Sequence, residues 1–152
     1  MSSEFKVFSD VVMKESIVAE KSFAFALKVI SLYKELIKEN EYVMSKQILR
    51  SATSIGANIQ EALAGVSRKD FSYKMSIASK EARETRYWLM LLDKSQYIKK
   101  DYTLYLIDID ELIKILTSIV KRLMKNMANN NSELDFKFDA VPTHNSRLIT
   151  QD

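Results

Sequence analysis

A chain of 152 residues is long enough to fold as one domain with a buried core. Its two glycines and one proline leave too few turn residues for a protein of many short strands, so the composition favours helices with short connections. The absence of cysteine excludes disulfides, thiolate metal ligands and a thiol nucleophile, while a net charge of +3 permits nucleic-acid binding without requiring it.

Residues 1–17 show no sustained helical pattern, and we expect them to be irregular. The charged residues Glu4, Lys6 and Asp10 interrupt every apolar run in this segment. The segment therefore has the pattern of neither a signal peptide nor a membrane span. We expect a cytoplasmic protein with no membrane partner.

The first helix is predicted over residues 18–39, where apolar residues recur three or four positions apart in two adjacent rows. Two rows make a wide apolar face, which predicts contact with more than one neighbour, inside the subunit or across a subunit boundary. The rows are Phe23, Ala26, Ile30, Tyr33 and Ile37, and Phe25, Val29, Leu32 and Leu36.

The second helix is predicted over residues 42–64, and small side chains around Gly56 mark its centre. A glycine inside a helix costs about 1 kcal/mol relative to alanine, so its presence predicts close packing or a bend. Gly65 is expected to end the helix in the left-handed conformation that glycine tolerates. The stripe expected to be buried is Met44, Ile48, Ala52, Ile55, Ile59 and Leu63.

The third helix is expected to begin after Ser67, a favourable N-cap residue with Asp70 three positions later. Tyr73 and Tyr87 lie beside its apolar seam and are expected to broaden the buried surface. The seam alternates steps of four and three, as in a coiled coil. It consists of Phe71, Met75, Ala78, Ala82, Thr85, Leu89 and Leu92.

The fourth helix is expected to be capped by Asp101 and to end near Met127. Four helices with short connections favour an all-α, antiparallel up-down-up-down four-helix bundle over residues 18–127. The polar residues 128–152 lack periodicity, so we expect a disordered tail or an arm that orders against a partner. The fourth seam is Tyr105, Ile109, Leu112, Leu116, Ile119 and Leu123.

No set of residues has the pattern of a catalytic or metal site. The only histidine, His144, lies in the polar tail, which argues against a di-metal centre of the ferritin type. Two glycines cannot build a phosphate-binding loop. The acidic residues Asp108, Asp110 and Glu111 are expected to form a solvated face. We therefore predict no enzyme, no cofactor, no metal and no small-molecule substrate, since catalysis would need a site assembled between subunits.

Basic residues are concentrated in the second and third helices, where they could contact phosphates. A ring of subunits would repeat such a patch and multiply its effect. The alternative interpretation is ordinary surface charge that keeps the protein soluble. The candidate nucleic-acid-binding residues are Lys46, Arg50, Arg68, Lys69, Lys74, Lys80, Arg83 and Arg86.

A second set of residues is expected to make helix or subunit contacts. Lys80 and Glu84 have the spacing of an ion pair within one helix, and the same charges could pair between subunits instead. Asn58 and Glu61 could equally satisfy neighbouring helices or fix an interface. The full set is Ser54, Gly56, Asn58, Glu61, Phe71, Glu84 and Trp88.

Three segments together resemble a bacterial four-helix-bundle family that includes proteins encoded within intervening sequences of 23S ribosomal RNA. The retroelement accessory variability determinant is a more distant relative. The segments are EKSFAFALKVISLYK at 20–34, SKQILRSATSIGANIQEA at 45–62 and SRKDFSYKMSIASKEARETRYWLMLL at 67–92. The resemblance implies an antiparallel bundle that assembles as a ring-like homopentamer. Many members carry basic residues after the glutamate that matches Glu61, and their absence here weakens RNA contact at that turn.

We therefore predict a non-enzymatic, oligomeric RNA-binding or ribonucleoprotein-binding accessory protein. The alternative is a structural or protein-interaction module that binds no nucleic acid. That alternative depends on the wide apolar face of the first helix and on Phe136 and Phe138 in the tail.

Overall fold

The computed structural model describes the backbone of residues 3–139 and the side chains of residues 14–129. It contains four helices and no strand in this range, which confirms the predicted all-α class. No helix in the described range has an apolar stretch that could cross a membrane. The helices are α1 (Ser3–Lys38), α2 (Met44–Leu63), α3 (Arg68–Ser95) and α4 (Thr103–Asp139).

The first and last helices are longer than the sequence pattern predicts. α1 begins at Ser3, so residues 3–17 are helical rather than irregular. α4 continues past the expected end at Met127 to Asp139. Neither extension contains glycine or proline, and once a helix has formed each further residue adds a hydrogen bond at little cost. The expected tail beyond residue 139 lies outside the described residues.

One hydrophobic cluster joins all four helices, and the predicted seams of α3 and α4 form much of it. The α3 seam is buried from Met75 to Leu92, whereas Phe71 in the first turn is half-buried. The fully buried Tyr102, directly before α4, extends the predicted seam of that helix, and Leu123 at the far end of the seam is only partly buried. Each helix thus presents one continuous stripe to a shared core.

Only one of the two predicted apolar rows of α1 belongs to the core. The row containing Phe25 and Val29 is almost completely buried, while Phe23 of the other row is 66% exposed and Leu27 beside it is 53% exposed. In α2, Leu63 was expected on the buried stripe but is 44% exposed at the last helical residue. The outer side of α1 therefore keeps large apolar side chains in contact with solvent.

A buried glutamate caps the second helix. Asn40 adopts the left-handed conformation, with φ of 61°, directly after α1. The carboxylate of Glu41 then accepts hydrogen bonds from the backbone N–H groups of Val43 at 3.0 Å, Met44 at 2.8 Å and Ser45 at 2.5 Å. These N–H groups have no partner inside the helix, and a carboxylate is favoured at a helix N-terminus.

The predicted caps of the third and fourth helices are confirmed. The Ser67 hydroxyl oxygen accepts a hydrogen bond from the backbone N–H of Asp70 at 3.1 Å. Asp101 accepts from the backbone N–H of Thr103 at 2.9 Å, and its hydrogen bonds with Thr103 hold the pKa of Asp101 below its ordinary value. Each of these helices thus has its N-terminus capped by a residue two or three positions earlier in the sequence.

Gly65 does not adopt the left-handed conformation that the sequence predicts. Neither glycine has a positive φ, and the cap of α2 is Ala64 in a right-handed conformation. A Cβ atom at Gly65 would lie 3.0 Å from the carbonyl oxygen of Ala62. The glycine therefore relieves crowding at the end of α2, while the left-handed position after α3 is taken by Gln96, with φ of 47°.

Each helix packs against two others in the described part of the chain: α2 and α4 each contact α1 and α3. Across α2 and α3, Arg50 pairs with Glu84, and the later Glu61 pairs with the earlier Lys74. Residue numbers therefore rise along one helix as they fall along its neighbour. The same order holds between α1 and α4, where Lys21 pairs with Glu111 and Lys28 with Asp108, and it continues just before α4, where Glu35 pairs with Lys100.

Gly56 of α2 lies against Ser22 of α1, and a Cβ atom added there would be 3.4 Å from the Ser22 hydroxyl oxygen. That separation is an ordinary contact, so Gly56→Ala is expected to raise the free energy of unfolding by up to about 1 kcal/mol through higher helix propensity. Gly56→Leu is expected to lower it, because the larger side chain must displace Ser22. Urea denaturation measures both changes.

Gly65→Ala is the matched control, since its Cβ would crowd a backbone carbonyl rather than a side chain. We expect this variant to be less stable than the wild type. If Gly56→Ala also lost stability, α1 and α2 would have to be closer at Gly56 and Ser22 than the 3.4 Å contact indicates.

Candidate nucleic-acid interface

The candidate residues all lie on α2 and α3, and a buried polar contact joins these two helices. The hydroxyl oxygens of Ser51 and Thr85 lie 2.9 Å apart and form a hydrogen bond. Both residues are fully buried. Each hydroxyl also lies within hydrogen-bond distance of a carbonyl oxygen of its own helix, that of Ile48 at 3.3 Å and that of Glu81 at 2.8 Å. The contact between the helices therefore adds one hydrogen bond and favours this alignment modestly.

Next to this contact, Arg50 of α2 reaches two glutamates of α3. Its guanidinium donates to Glu84 and lies 3.4 Å from a carboxylate oxygen of Glu81. Glu84 also accepts a hydrogen bond of 3.2 Å from the indole N–H of Trp88. The hydrogen bond from Arg50, supported by that from Trp88, lowers the pKa of Glu84 below its ordinary value.

The intrahelical pair of Lys80 and Glu84 that the sequence suggests does not form. Glu84 is bound by Arg50 from the neighbouring helix, and Lys80 is exposed without a partner among the described residues. A guanidinium offers several donors in a planar fork, so Arg50 can bind two carboxylates at once. Lys80 is thereby left as an uncompensated cation.

Three further candidate cations also have partners within the subunit. Lys74 pairs with Glu61, and this hydrogen bond raises the pKa of Lys74. Arg86 binds the carboxylate of Asp110 on α4 at 2.6 Å. The remaining cation of this group, Arg83, donates to the hydroxyl of Thr117 at 3.1 Å. These side chains join α3 to α2 or α4.

Four candidate cations have neither a hydrogen bond nor an ion pair with any residue that the structure describes. All four are exposed, and they are spread along the α2–α3 pair rather than gathered at one point. Two lie at the start of α3, one near the start of α2 and one in the middle of α3. They are Lys46, Arg68, Lys69 and Lys80, and we call them the open cations.

The polar residues predicted to make contacts act in different ways. The Asn58 side chain donates to the backbone oxygen of Ser54 at 2.9 Å, so it serves its own helix. Glu61 instead pairs across to α3. The pair of Asn58 and Glu61 suggested by their spacing is therefore divided between two roles, whereas Phe71 packs against the core and Trp88 anchors Glu84.

The acidic residues of α4 are engaged with neighbouring helices rather than forming only a solvated face. Besides the Arg86 pair of Asp110, Asp108 binds Lys28 at 2.7 Å and Glu111 lies 3.0 Å from Lys21. No group of three histidine, cysteine, aspartate or glutamate side chains in the described residues could hold a metal ion.

Two tyrosines of α3 were expected to broaden the buried surface, and this expectation is wrong. Tyr73 is 63% exposed and Tyr87 is 56% exposed. Both lie on the outer side of α3, because α2 and α4 cover only its other sides. The sequence contained a signal for this exposure. Tyr73 and Tyr87 each lie seven residues from Lys80, so the tyrosines share a helix face with a charged residue.

Comparison with known families identifies the protein at the level of its family. Residues 14–118 match the family model described as 23S rRNA-intervening sequence protein. The chain belongs to this family. The resemblance found in the sequence is thus confirmed, and the matched region contains all of α2 and α3.

A solved structure from Bacteroides thetaiotaomicron is similar to this member of the 23S rRNA-intervening sequence protein family. It is described as a protein with unknown function from the S23 ribosomal protein family. The two chains are 51% identical, with 71% of this chain and 98% of that chain covered and a TM-score of 0.68. No curated protein matches the chain.

The Arg50–Glu84 pair predicts a pH-dependent contribution to stability. A carboxylate whose pKa is lower in the folded state stabilises the protein above its usual pKa, and this contribution is lost as pH falls through the folded pKa. Glu84→Gln is therefore expected to lower the free energy of unfolding at neutral pH by about 1 kcal/mol or less, since the pair is partly exposed. The difference from wild type should shrink at an acidic pH below the titration of Glu84 in the folded protein.

Urea denaturation at both pH values measures this effect, and the emission of Trp88, the only tryptophan, follows the titration of the neighbouring carboxylate. Arg50→Met and the double variant complete a mutant cycle that isolates the pair. An equal loss at both pH values would show that Glu84→Gln acts by another route.

Proposed function

We propose that this protein is a non-enzymatic, oligomeric helical protein of the cytoplasm that binds RNA or a ribonucleoprotein partner. The observation that carries the proposal is the set of open cations on α2 and α3, which have no partner among the described residues. A cation already held by a carboxylate must lose that partner before it can neutralise a phosphate, whereas an open cation need not. The family description, which names the 23S rRNA intervening sequence, supports RNA as the nucleic acid.

We further propose that the four helices form an antiparallel up-down-up-down bundle and that subunits assemble as a ring-like homopentamer. The opposed residue order of the pairs between α2 and α3 and between α1 and α4 supports the antiparallel arrangement. The exposed apolar side chains Phe23 and Leu27 supply a surface that association would bury. A ring repeats the open cations in every subunit and so raises avidity for a long RNA.

Reversal of open cations tests RNA binding. Lys69→Glu combined with Lys80→Glu is expected to weaken binding to a structured RNA by more than tenfold at low salt and to flatten the decline of log affinity with log salt, because phosphate contacts are lost. Fluorescence anisotropy with a labelled RNA hairpin measures both quantities, and light scattering checks that the oligomer persists.

Lys34→Glu combined with Lys114→Glu is the matched control, since both lysines are exposed and lie on α1 and α4. This variant should keep most of the affinity despite the same change in net charge. Absence of RNA binding by the wild-type oligomer at low salt would contradict the proposed function. Equal losses of affinity in both variants would show that binding depends on the net charge and not on the open cations.

The second candidate function is a structural or protein-interaction module that binds no nucleic acid. The observation in its favour is the exposed apolar side of α1, with Phe23 and Leu27, together with the exposed Leu63 at the end of α2. The side chains of Phe136 and Phe138, which were expected to contribute, lie outside the described residues. In this alternative the apolar surface receives another protein, and the open cations only maintain solubility.

Phe23→Ser combined with Leu27→Ser is expected to reduce the mass of the particle in solution, because burial of these side chains would favour subunit association. Size exclusion with light scattering measures the mass. Val66→Ser is the control, since Val66 is also apolar and exposed but lies in the α2–α3 turn. An unchanged mass in the double variant would exclude this surface from assembly and leave it open to a different protein.

A further inference from the structure

Three side chains follow one line along the outer side of α3: Tyr73, Lys80 and Tyr87. They are seven residues apart, which is nearly two helical turns, so they project in similar directions. At a rise of 1.5 Å per residue the two tyrosines lie about 21 Å apart along the helix, with the lysine midway. We call these three residues the outer stripe of α3.

The aromatic rings of the outer stripe are exposed and have free polar ends. Neither tyrosine hydroxyl forms a hydrogen bond with a residue in the described part of the chain. The ring of Tyr87 meets Trp88 edge to face, with ring centroids 5.4 Å apart, and Trp88 is itself tied to Glu84. This support restrains Tyr87, so less rotational freedom is lost when another flat ring packs on it.

The outer stripe contains a cation that pairs with no carboxylate among the described residues. Lys80 is an open cation, as is Lys69 one turn before Tyr73. Glu84, one turn after Lys80, is engaged by Arg50 of α2 instead. Exposed aromatic rings that alternate with uncompensated cations complement a chain of flat bases joined by phosphates. A neutral apolar partner would leave the lysine charge without a counterpart.

We propose that the outer stripe of α3 binds single-stranded RNA, with bases stacked on Tyr73 and Tyr87 and an intervening phosphate contacted by Lys80. Stacking on aromatic side chains requires bases that are free of a duplex, because a helix keeps its bases stacked on each other. The proposal rests on the RNA-binding function proposed above and specifies the form of RNA and the residues that hold it.

Fluorescence anisotropy on the full-length protein tests the proposal with two labelled probes, an oligoadenylate of about twelve nucleotides and an RNA duplex of similar length. The single strand is expected to bind more tightly than the duplex. Tyr73→Leu and Tyr87→Leu should each weaken its binding by about tenfold without changing the salt dependence, because stacking is lost and phosphate contacts remain. Tyr73→Phe should bind like the wild type, since the ring is retained.

Tyr97→Leu is the matched control, because Tyr97 is 62% exposed but lies in the connection between α3 and α4. It should leave binding unchanged. Lys80→Gln should reduce both the affinity and the slope of log affinity against log salt by about one phosphate contact. Light scattering and circular dichroism on each variant verify assembly and helix content.

The outcomes separate this proposal from the proposed function. If the wild type binds the single strand and both leucine variants bind it equally well, stacking on the outer stripe is refuted while RNA binding stands. Tighter binding of the duplex would refute it in the same way. Disassembly of the oligomer in the leucine variants would assign the stripe to a subunit contact instead. Failure of the wild type to bind either probe would overturn the proposed function itself.

Discussion

The alignment of α2 against α3 determines where every candidate residue lies. The buried hydrogen bond between Ser51 and Thr85 favours this register by about 0.5–1.5 kcal/mol, since each hydroxyl keeps a carbonyl acceptor in its own helix and only the bond between the helices would be lost on sliding. In that register Arg50 faces the two glutamates of α3, and Glu61 faces Lys74. The register of α2 against α3 thus decides which of these charges are paired.

This register divides the basic residues into two groups with different uses. Arg50, Lys74 and Arg86 are held by carboxylates on adjacent helices, so their charges serve packing between helices. The open cations face solvent and are the basic candidates on α2 and α3 whose charges are not used within the subunit. The net charge of +3 cannot show which cations are paired, because paired and open cations contribute equally to it. An RNA-binding role therefore depends on fewer residues than the composition suggests.

Several features of the fold could be predicted because they depend on neighbours in sequence. The α3 and α4 seams follow from spacings of three and four, and Ser67 caps α3 because its hydroxyl reaches a backbone N–H three residues away. The cap of α2 was harder, since the buried carboxylate of Glu41 takes the place of a short polar side chain. The prediction of a left-handed backbone at Gly65 was wrong, because the glycine is needed there for its missing Cβ atom, which would crowd a backbone carbonyl.

The sequence by itself determined the all-α class, the buried seams of α3 and α4 and the family, since helical periodicity and family motifs are local patterns. Only the tertiary structure decided which apolar row of α1 enters the core, which acid binds Arg50, and that Tyr73 and Tyr87 face solvent. Each of these depends on which sides of a helix its neighbours cover. Arg50 and Glu84 are 34 residues apart, so a local pattern cannot reveal their contact. It arises only when two helices pack in one register.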